Sequence, residues 1–141
     1  RAVVQRVTSS KVSVDGKTVG EIGKGFNVLL GVVEGDTDEQ AILLAGKIAR
    51  LRVFEDENGK MNLSVNDVGG DFAISQFTLC ADCKKGNRPS FTLSAAPDEA
   101  NRLYELFCSE LSANGVRNVE KGIFGADMAV SFRITGTLMM I

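Results

Sequence analysis

Ser75-Gln76-Phe77-Thr78-Leu79, followed by Lys85-Gly86-Asn87-Arg88-Pro89-Ser90-Phe91, is the stretch on which the reading of this chain turns. Phe72, Ala73, Ile74, Phe77 and Leu79 form an apolar run that reads as the end of a buried strand. Ser75, Gln76 and Thr78 interrupt it. Buried hydroxyl and amide groups cost free energy unless they find partners, so these three either face water or meet a polar ligand. The second run is a glycine turn carrying Lys84, Lys85 and Arg88, which could receive a phosphate and could equally be a solvated loop.

Outward from that stretch the pattern alternates between short strands and two helices. Val12, Val14 and Val19 around Asp15-Gly16 predict a hairpin with a type I′ turn. Phe26 to Val33 is continuously apolar and predicts a central strand. Asp36 and Thr37 offer an N-cap, with Glu39 and Gln40 placed for a capping box. Ala41, Leu44, Ala45, Ile48 and Leu51 then recur at helical spacing on one face, leaving Lys47, Arg50 and Arg52 to solvent. Asn58-Gly59 marks a tight turn. Pro97, with Asp98 and Glu99, opens a second helix whose face is Ala100, Leu103, Tyr104, Phe107, Cys108 and Leu111, and Gly115 closes it. Val116 to Glu120, Met128 to Arg133 and Leu138 to Ile141 are expected as the remaining strands. Hairpins with two helices on one side predict a single α+β domain over residues 1–141 with a mainly antiparallel sheet.

Composition narrows the chemistry. The 141 residues carry a net charge of −2, so any nucleic-acid contact must be a local patch and not a field over the whole surface. No apolar run reaches the roughly 20 residues that a membrane span needs, and no signal-peptide layout opens the chain. A cytoplasmic protein with no membrane partner is the expectation. The chain contains no histidine, which excludes Ser-His-Asp and Cys-His catalysis and histidine-ligated metals. General-base work falls to a carboxylate, a lysine or the substrate. Cys80-Ala81-Asp82-Cys83 is formally a C-x-x-C, but Cys108 is the only other thiol, so incidental thiols are expected, with no metal and no cofactor.

The two runs around residues 75–91 together resemble the signature of the D-aminoacyl-tRNA deacylases, the D-Tyr-tRNA deacylase family, which cleave the ester between a D-amino acid or glycine and tRNA. The resemblance continues in Arg1-Ala2-Val3-Val4-Gln5-Arg6-Val7, in Gly23-Lys24-Gly25 with Phe26 to Val33, in Leu51 to Asp56 with Gly59-Lys60-Met61-Asn62, and in Phe124-Gly125-Ala126-Asp127-Met128. One family motif departs. Where the family carries Asn-x-Gly-Pro-x-Thr, with a cis Gly–Pro bond that filters chirality, this chain has Ile134-Thr135-Gly136-Thr137-Leu138-Met139. A cis bond before Thr137 would cost about 2.5–4 kcal/mol, against about 0.5–1 before a proline, so a trans bond is expected.

The resemblance implies a barrel-like closure of the sheet and a homodimer with sites at the subunit interface. It implies a catalytic stretch at Ser75, Gln76, Phe77 and Thr78. Arg6 would brace the glycine loop of the partner subunit, and Phe124, Gly125, Ala126 and Met128 would line an adenine pocket. Gly136 and Thr137 would stand where an L-side chain needs space, and Lys84, Lys85 and Arg88 would meet the tRNA backbone. The partner implied is aminoacyl-tRNA, not DNA. Two other readings share these residues: a relative with altered stereochemical preference, and a non-catalytic module that binds the tRNA end.

Overall fold

The computed structural model describes residues 1–76 and 79–141, apart from the side chains of Ser75, Gln76 and Thr137. Among the described residues eight strands and two helices run in the order β1 (Ala2–Val14), β2 (Lys17–Ile22), β3 (Gly25–Leu30), α1 (Asp38–Ala49), β4 (Phe54–Glu55), β5 (Met61–Leu63), β6 (Asp71–Gln76), α2 (Pro97–Ala113), β7 (Val119–Lys121) and β8 (Met128–Met140). The hairpin forms as the sequence predicts. Asp15 and Gly16 both have positive φ, 49° and 76°, the type I′ geometry whose twist matches that of the strands.

β1 organises the sheet because it is long enough to pair with three strands. Its first half lies antiparallel to β3, its second half antiparallel to β2, and its other edge antiparallel to β8. From β3 outward the sheet becomes parallel, β3 to β6 and β6 to β7. The reason is topological. The chain leaves β3 through α1 before reaching β6, and leaves β6 through α2 before reaching β7, and a crossover returns a strand parallel to its neighbour. The expected mainly antiparallel sheet therefore has a parallel half. β2 then curls across to touch β6 and β7, so the sheet nearly closes on itself. The curl needs Gly25, where a Cβ would stand 2.7 Å from the Asp71 backbone nitrogen.

Both helices cover one face. Ala45, Ile48 and Ala49 of α1 and Tyr104, Phe107, Cys108 and Leu111 of α2 pack on Val4, Phe26, Val28, Phe72 and Ile74 of the sheet. Phe26 anchors this layer, with its ring centroid 5.1 Å from Phe54 and 5.3 Å from Phe72. Thr37 caps α1 through the anticipated capping box, its hydroxyl accepting from the Gln40 N–H while the Gln40 side chain accepts from the Thr37 N–H at 2.9 Å. Pro97 opens α2, and all six residues of its anticipated face are buried. Among the described residues no helix is long and apolar enough to cross a membrane.

Three strand boundaries differ from expectation. β3 stops at Leu30, because the Asp36 carboxylate accepts from the Val33 N–H at 2.9 Å and turns the chain towards α1. β7 is limited to Val119–Lys121, the part that has β6 beside it. The two C-terminal strands expected at 128–133 and 138–141 are one strand, β8, because β1 offers a continuous edge along both. The register takes up the surplus. Gln5 faces Leu138 and Val7 faces Ile134, so Arg6 alone stands opposite the three residues Thr135, Gly136 and Thr137. The anticipated loop survives as a bulge within a strand.

Candidate active site and its cavities

The bulge is held from beneath by β1. Arg6 Nε donates to the Thr135 carbonyl at 2.6 Å, and its Nη1 donates to the Val53 carbonyl. The Gln5 amide, 4% exposed, donates to the Arg6 carbonyl at 2.9 Å and to the Gly136 carbonyl at 3.3 Å. Gly136 has φ +92°, and a Cβ there would fall 2.9 Å from Arg6 Nε, so the position demands glycine twice over. No peptide bond among the described residues is cis. Arg6 was expected against the loop of a partner subunit; within one chain it already grips the equivalent segment of its own.

Ser75 and Gln76 end β6, with Gln76 opposite Leu29 of β3. Phe77 and Thr78 lie outside the described residues, as do the side chains of Ser75, Gln76 and Thr137. Beside this strand end is a cavity of about 260 Å³ lined by Asn27, Leu29, Ala126, Asp127, Met128, Val130 and Phe132. Ala126 and Met128, both anticipated, line it; Phe124 and Gly125 belong to the exposed turn that leads in, closed by the Ala126 N–H donating to the Ile123 carbonyl at 3.1 Å. The sequence reading missed Asn27. Its signal was a single amide in the run Gly25-Phe26-Asn27-Val28-Leu29-Leu30.

Lys84, Lys85 and Arg88 sit exposed on a turn between Asp82 and Ser90, whose backbones exchange hydrogen bonds of 2.7 and 2.9 Å. The Asp82 carboxylate accepts from the Lys84 N–H at 2.9 Å and shapes the turn. The segment entering this turn borders a second cavity, of about 340 Å³, walled by Val3, Val33, Leu79, Ala81, Leu93 and Met140 with Arg1 and Cys80. The structure therefore groups the β6 end with Ala126 and Met128, and Arg6 with Gly136.

The groups with the most displaced protonation are not at these cavities. Burial pushes the Cys108 thiol up to about 12 and also drives the Tyr104 hydroxyl upward. Both belong to the α2 core face and stay neutral. Hydrogen bonds from Arg102 hold the Asp38 and Glu99 carboxyls below the usual range on the exposed helix surface. Among the described residues no three His, Cys, Asp or Glu side chains gather as a metal site would require.

A family model described as D-Tyr-tRNA(Tyr) deacylase matches residues 3–141. The chain belongs to that family. Two members named D-aminoacyl-tRNA deacylase are similar along the whole of it. The protein of Clostridium novyi is 51% identical over all of this chain and 95% of its own length. That of Thermus aquaticus is 54% identical over all of this chain and 93% of its own. Among solved structures, the c-Myc DNA Unwinding Element Binding Protein superposes with a TM-score of 0.86 at 40% identity, over 94% of this chain and 90% of that one. A probable eukaryotic D-amino acid tRNA deacylase superposes at 0.77 with 20% identity, over 98% and 97%, and shares the fold. The barrel-like closure that the resemblance implied is present: the curled sheet with its two helices has the architecture of this family.

Proposed function

We infer that this chain hydrolyses the ester bond of D-aminoacyl-tRNA, releasing free tRNA and a D-amino acid, and so corrects chirality errors in translation. The observation that carries this is its identity of 51% and 54%, across the full chain, to relatives bearing the name of that activity. Glycine has no side chain to be refused, so glycyl-tRNA is a second substrate of the same site.

An aminoacyl ester is already activated, and the enzyme's harder tasks are orientation and exclusion. With no histidine in the chain, a Thr78 nucleophile would lack its usual base. The terminal ribose 2′-hydroxyl therefore assists the attack of water, and backbone N–H groups at Phe77 and Thr78 stabilise the oxyanion. Losing one such donor typically costs about 2.7–4 kcal/mol. Ser75 and Gln76 position the ester. Phe124, Gly125, Ala126 and Met128 receive the terminal adenine, and Lys84, Lys85 and Arg88 meet backbone phosphates. The Gly136 bulge, fixed by Arg6 and Gln5, occupies the space of an L-side chain.

The enzyme acts as a homodimer. Phe132, Ile134, Leu138 and Met140 project from one face of β8, with Ile134 58%, Leu138 59% and Met140 77% exposed. A contiguous apolar row of this kind marks an association surface, and a second copy placed there would bring its own bulge beside the first. An aminoacyl-tRNA substrate puts the enzyme in the cytoplasm. A second reading, relaxed stereochemistry, is favoured by Ile134 and Thr137, which replace the family's Asn and Pro. Deacylation of matched D- and L-aminoacyl-tRNA tests both: D-selective cleavage is expected, cleavage of both isomers supports the second reading, and no cleavage of either overturns the assignment.

A further inference from the structure

We propose that the groove of about 310 Å³ crossing β2, β1 and β8 seats the phosphodiester backbone of the tRNA acceptor end, with Lys11 and Arg133 as its contacts. The proposal rests on the deacylase reading above, and both residues lie outside the motifs that carry the family resemblance and outside the basic turn at 84–88. Strand register builds the groove. Lys11 faces Ser131 of β8 and Glu21 of β2, and Ser9 faces Arg133. Residues directly opposite on paired strands share a face, so Ser9, Lys11, Ser131 and Arg133 all stand on one side of the sheet. Thr8 is the surplus residue of β1 at this point, and its hydroxyl donates to the Arg133 carbonyl at 3.5 Å.

Lys11 and Arg133 are diagonal neighbours across this face, about 7–8 Å apart at the backbone, and both are exposed. Among the described residues neither side chain has an ion pair or a hydrogen bond, whereas Arg102 and Lys121 each have a carboxylate. Two cations held side by side over serine hydroxyls repel one another, and an anion between them removes that repulsion. A phosphodiester fits the set. Its non-bridging oxygens accept from the guanidinium and the ammonium, and Ser9 and Ser131 can donate beside them. Glu21 stands at the β2 rim, on the opposite side of Lys11 from Ser131, and confines the seat to the β8 side. Two observations favour an RNA backbone over free phosphate. Phe132 lines both this groove and the cavity that holds Ala126 and Met128, so a strand whose last base enters that cavity crosses β8 at the groove. Ser131 and Arg133 also alternate with Phe132 and Ile134, so the groove faces away from the apolar row of β8 and stays open when a second copy covers that row.

The test measures the affinity of the full chain for a D-aminoacyl-tRNA whose ester is replaced by an uncleavable amide, as a function of salt. Lys11→Ala combined with Arg133→Ala removes two phosphate contacts. On a single strand each contributes about 0.7 to the slope of log affinity against log salt, so the slope should fall by about 1.4. Between 50 and 200 mM salt the parent should then lose roughly sevenfold more affinity than the double variant. Lys11→Arg with Arg133→Lys keeps both charges and should restore the slope. In turnover, the ratio of kcat/KM on D-aminoacyl-tRNA to that on D-aminoacyl-adenosine, which carries no phosphate, should fall by a similar factor, through KM. A parental slope in the alanine variant overturns the proposal, and so do equal losses on the two substrates. Weaker binding of inorganic phosphate with a parental tRNA slope would make the groove a seat for the free ion and overturn the RNA assignment. A parent that binds the amide-linked tRNA as described but cleaves no D-aminoacyl-tRNA overturns the deacylase reading alone.

Discussion

Arg6→Lys is the most informative single substitution in this chain. The guanidinium serves two carbonyls at once, Thr135 through Nε at 2.6 Å and Val53 through Nη1. A lysine ammonium is a point donor on a flexible stem and cannot reproduce the fork. Hydrogen bonds involving a charged group are worth roughly 1.5–3 kcal/mol each. Lysine keeps one at best, and Arg6 is only half-buried, so a loss of about 2 kcal/mol is expected. For a domain of this size each kcal/mol moves the melting midpoint by roughly 3 °C, giving a fall of about 6 °C at fixed protein concentration. The functional effect should exceed the thermal one. Where the lysine does not reach Thr135, side-chain support of the bulge falls to the 3.3 Å bond from Gln5 to the Gly136 carbonyl, and an exclusion built on that carbonyl would soften. Forfeiting 1.4 kcal/mol of discrimination lowers the D/L ratio of kcat/KM about tenfold. The assay is single-turnover deacylation of D- and L-aminoacyl-tRNA beside a thermal melt. An unchanged melt together with an unchanged D/L ratio would refute the argument that Arg6 fixes the bulge.

Four further outcomes are expected. Thr78→Val should retain single-turnover deacylation within roughly 10²-fold of the parent; a trapped acyl-enzyme in the parent would show that the hydroxyl is the nucleophile. Replacing Lys84, Lys85 and Arg88 by alanine should weaken tRNA binding and flatten the dependence of log affinity on log salt, since fewer counterions are released; an identical slope would reduce the turn to a solvated loop. Thr137→Pro, alone or with Ile134→Asn, should raise selectivity for the D-isomer, and equal rejection of L-substrates by the parent would place the filter elsewhere. Thiol titration at pH 8 should find Cys83 and Cys80 reactive in the native protein and Cys108 only after denaturation. Burial lifts the Cys108 pKa to about 12 and leaves almost no thiolate there; three fast thiols in the native state would contradict that core.

The motifs that were legible in the sequence are those whose physics is short-range. The Asp15-Gly16 turn, the Thr37–Gln40 capping box, Pro97 at a first helical position and the six-residue face of α2 involve groups a few positions apart. Local sterics and helical periodicity decide such features before any long-range contact forms. The family signature was legible for a different reason, since its runs are read residue by residue in chain order and need no tertiary contact to be recognised. Tertiary structure decided the rest. The parallel half of the sheet follows from where α1 and α2 cross over, and periodicity along one strand carries no information about its neighbour's direction. β8 reads as two strands in isolation and is one because β1 supplies an unbroken edge, with the surplus absorbed opposite Arg6. Arg6 meets Thr135, 129 positions further along the chain, and Asn27 lines one cavity with Met128, 101 positions further along. Pairing register and sheet curl set both encounters. A buried Asn in an apolar run announces only that a partner is needed; the curled sheet determines that a cavity stands in front of it.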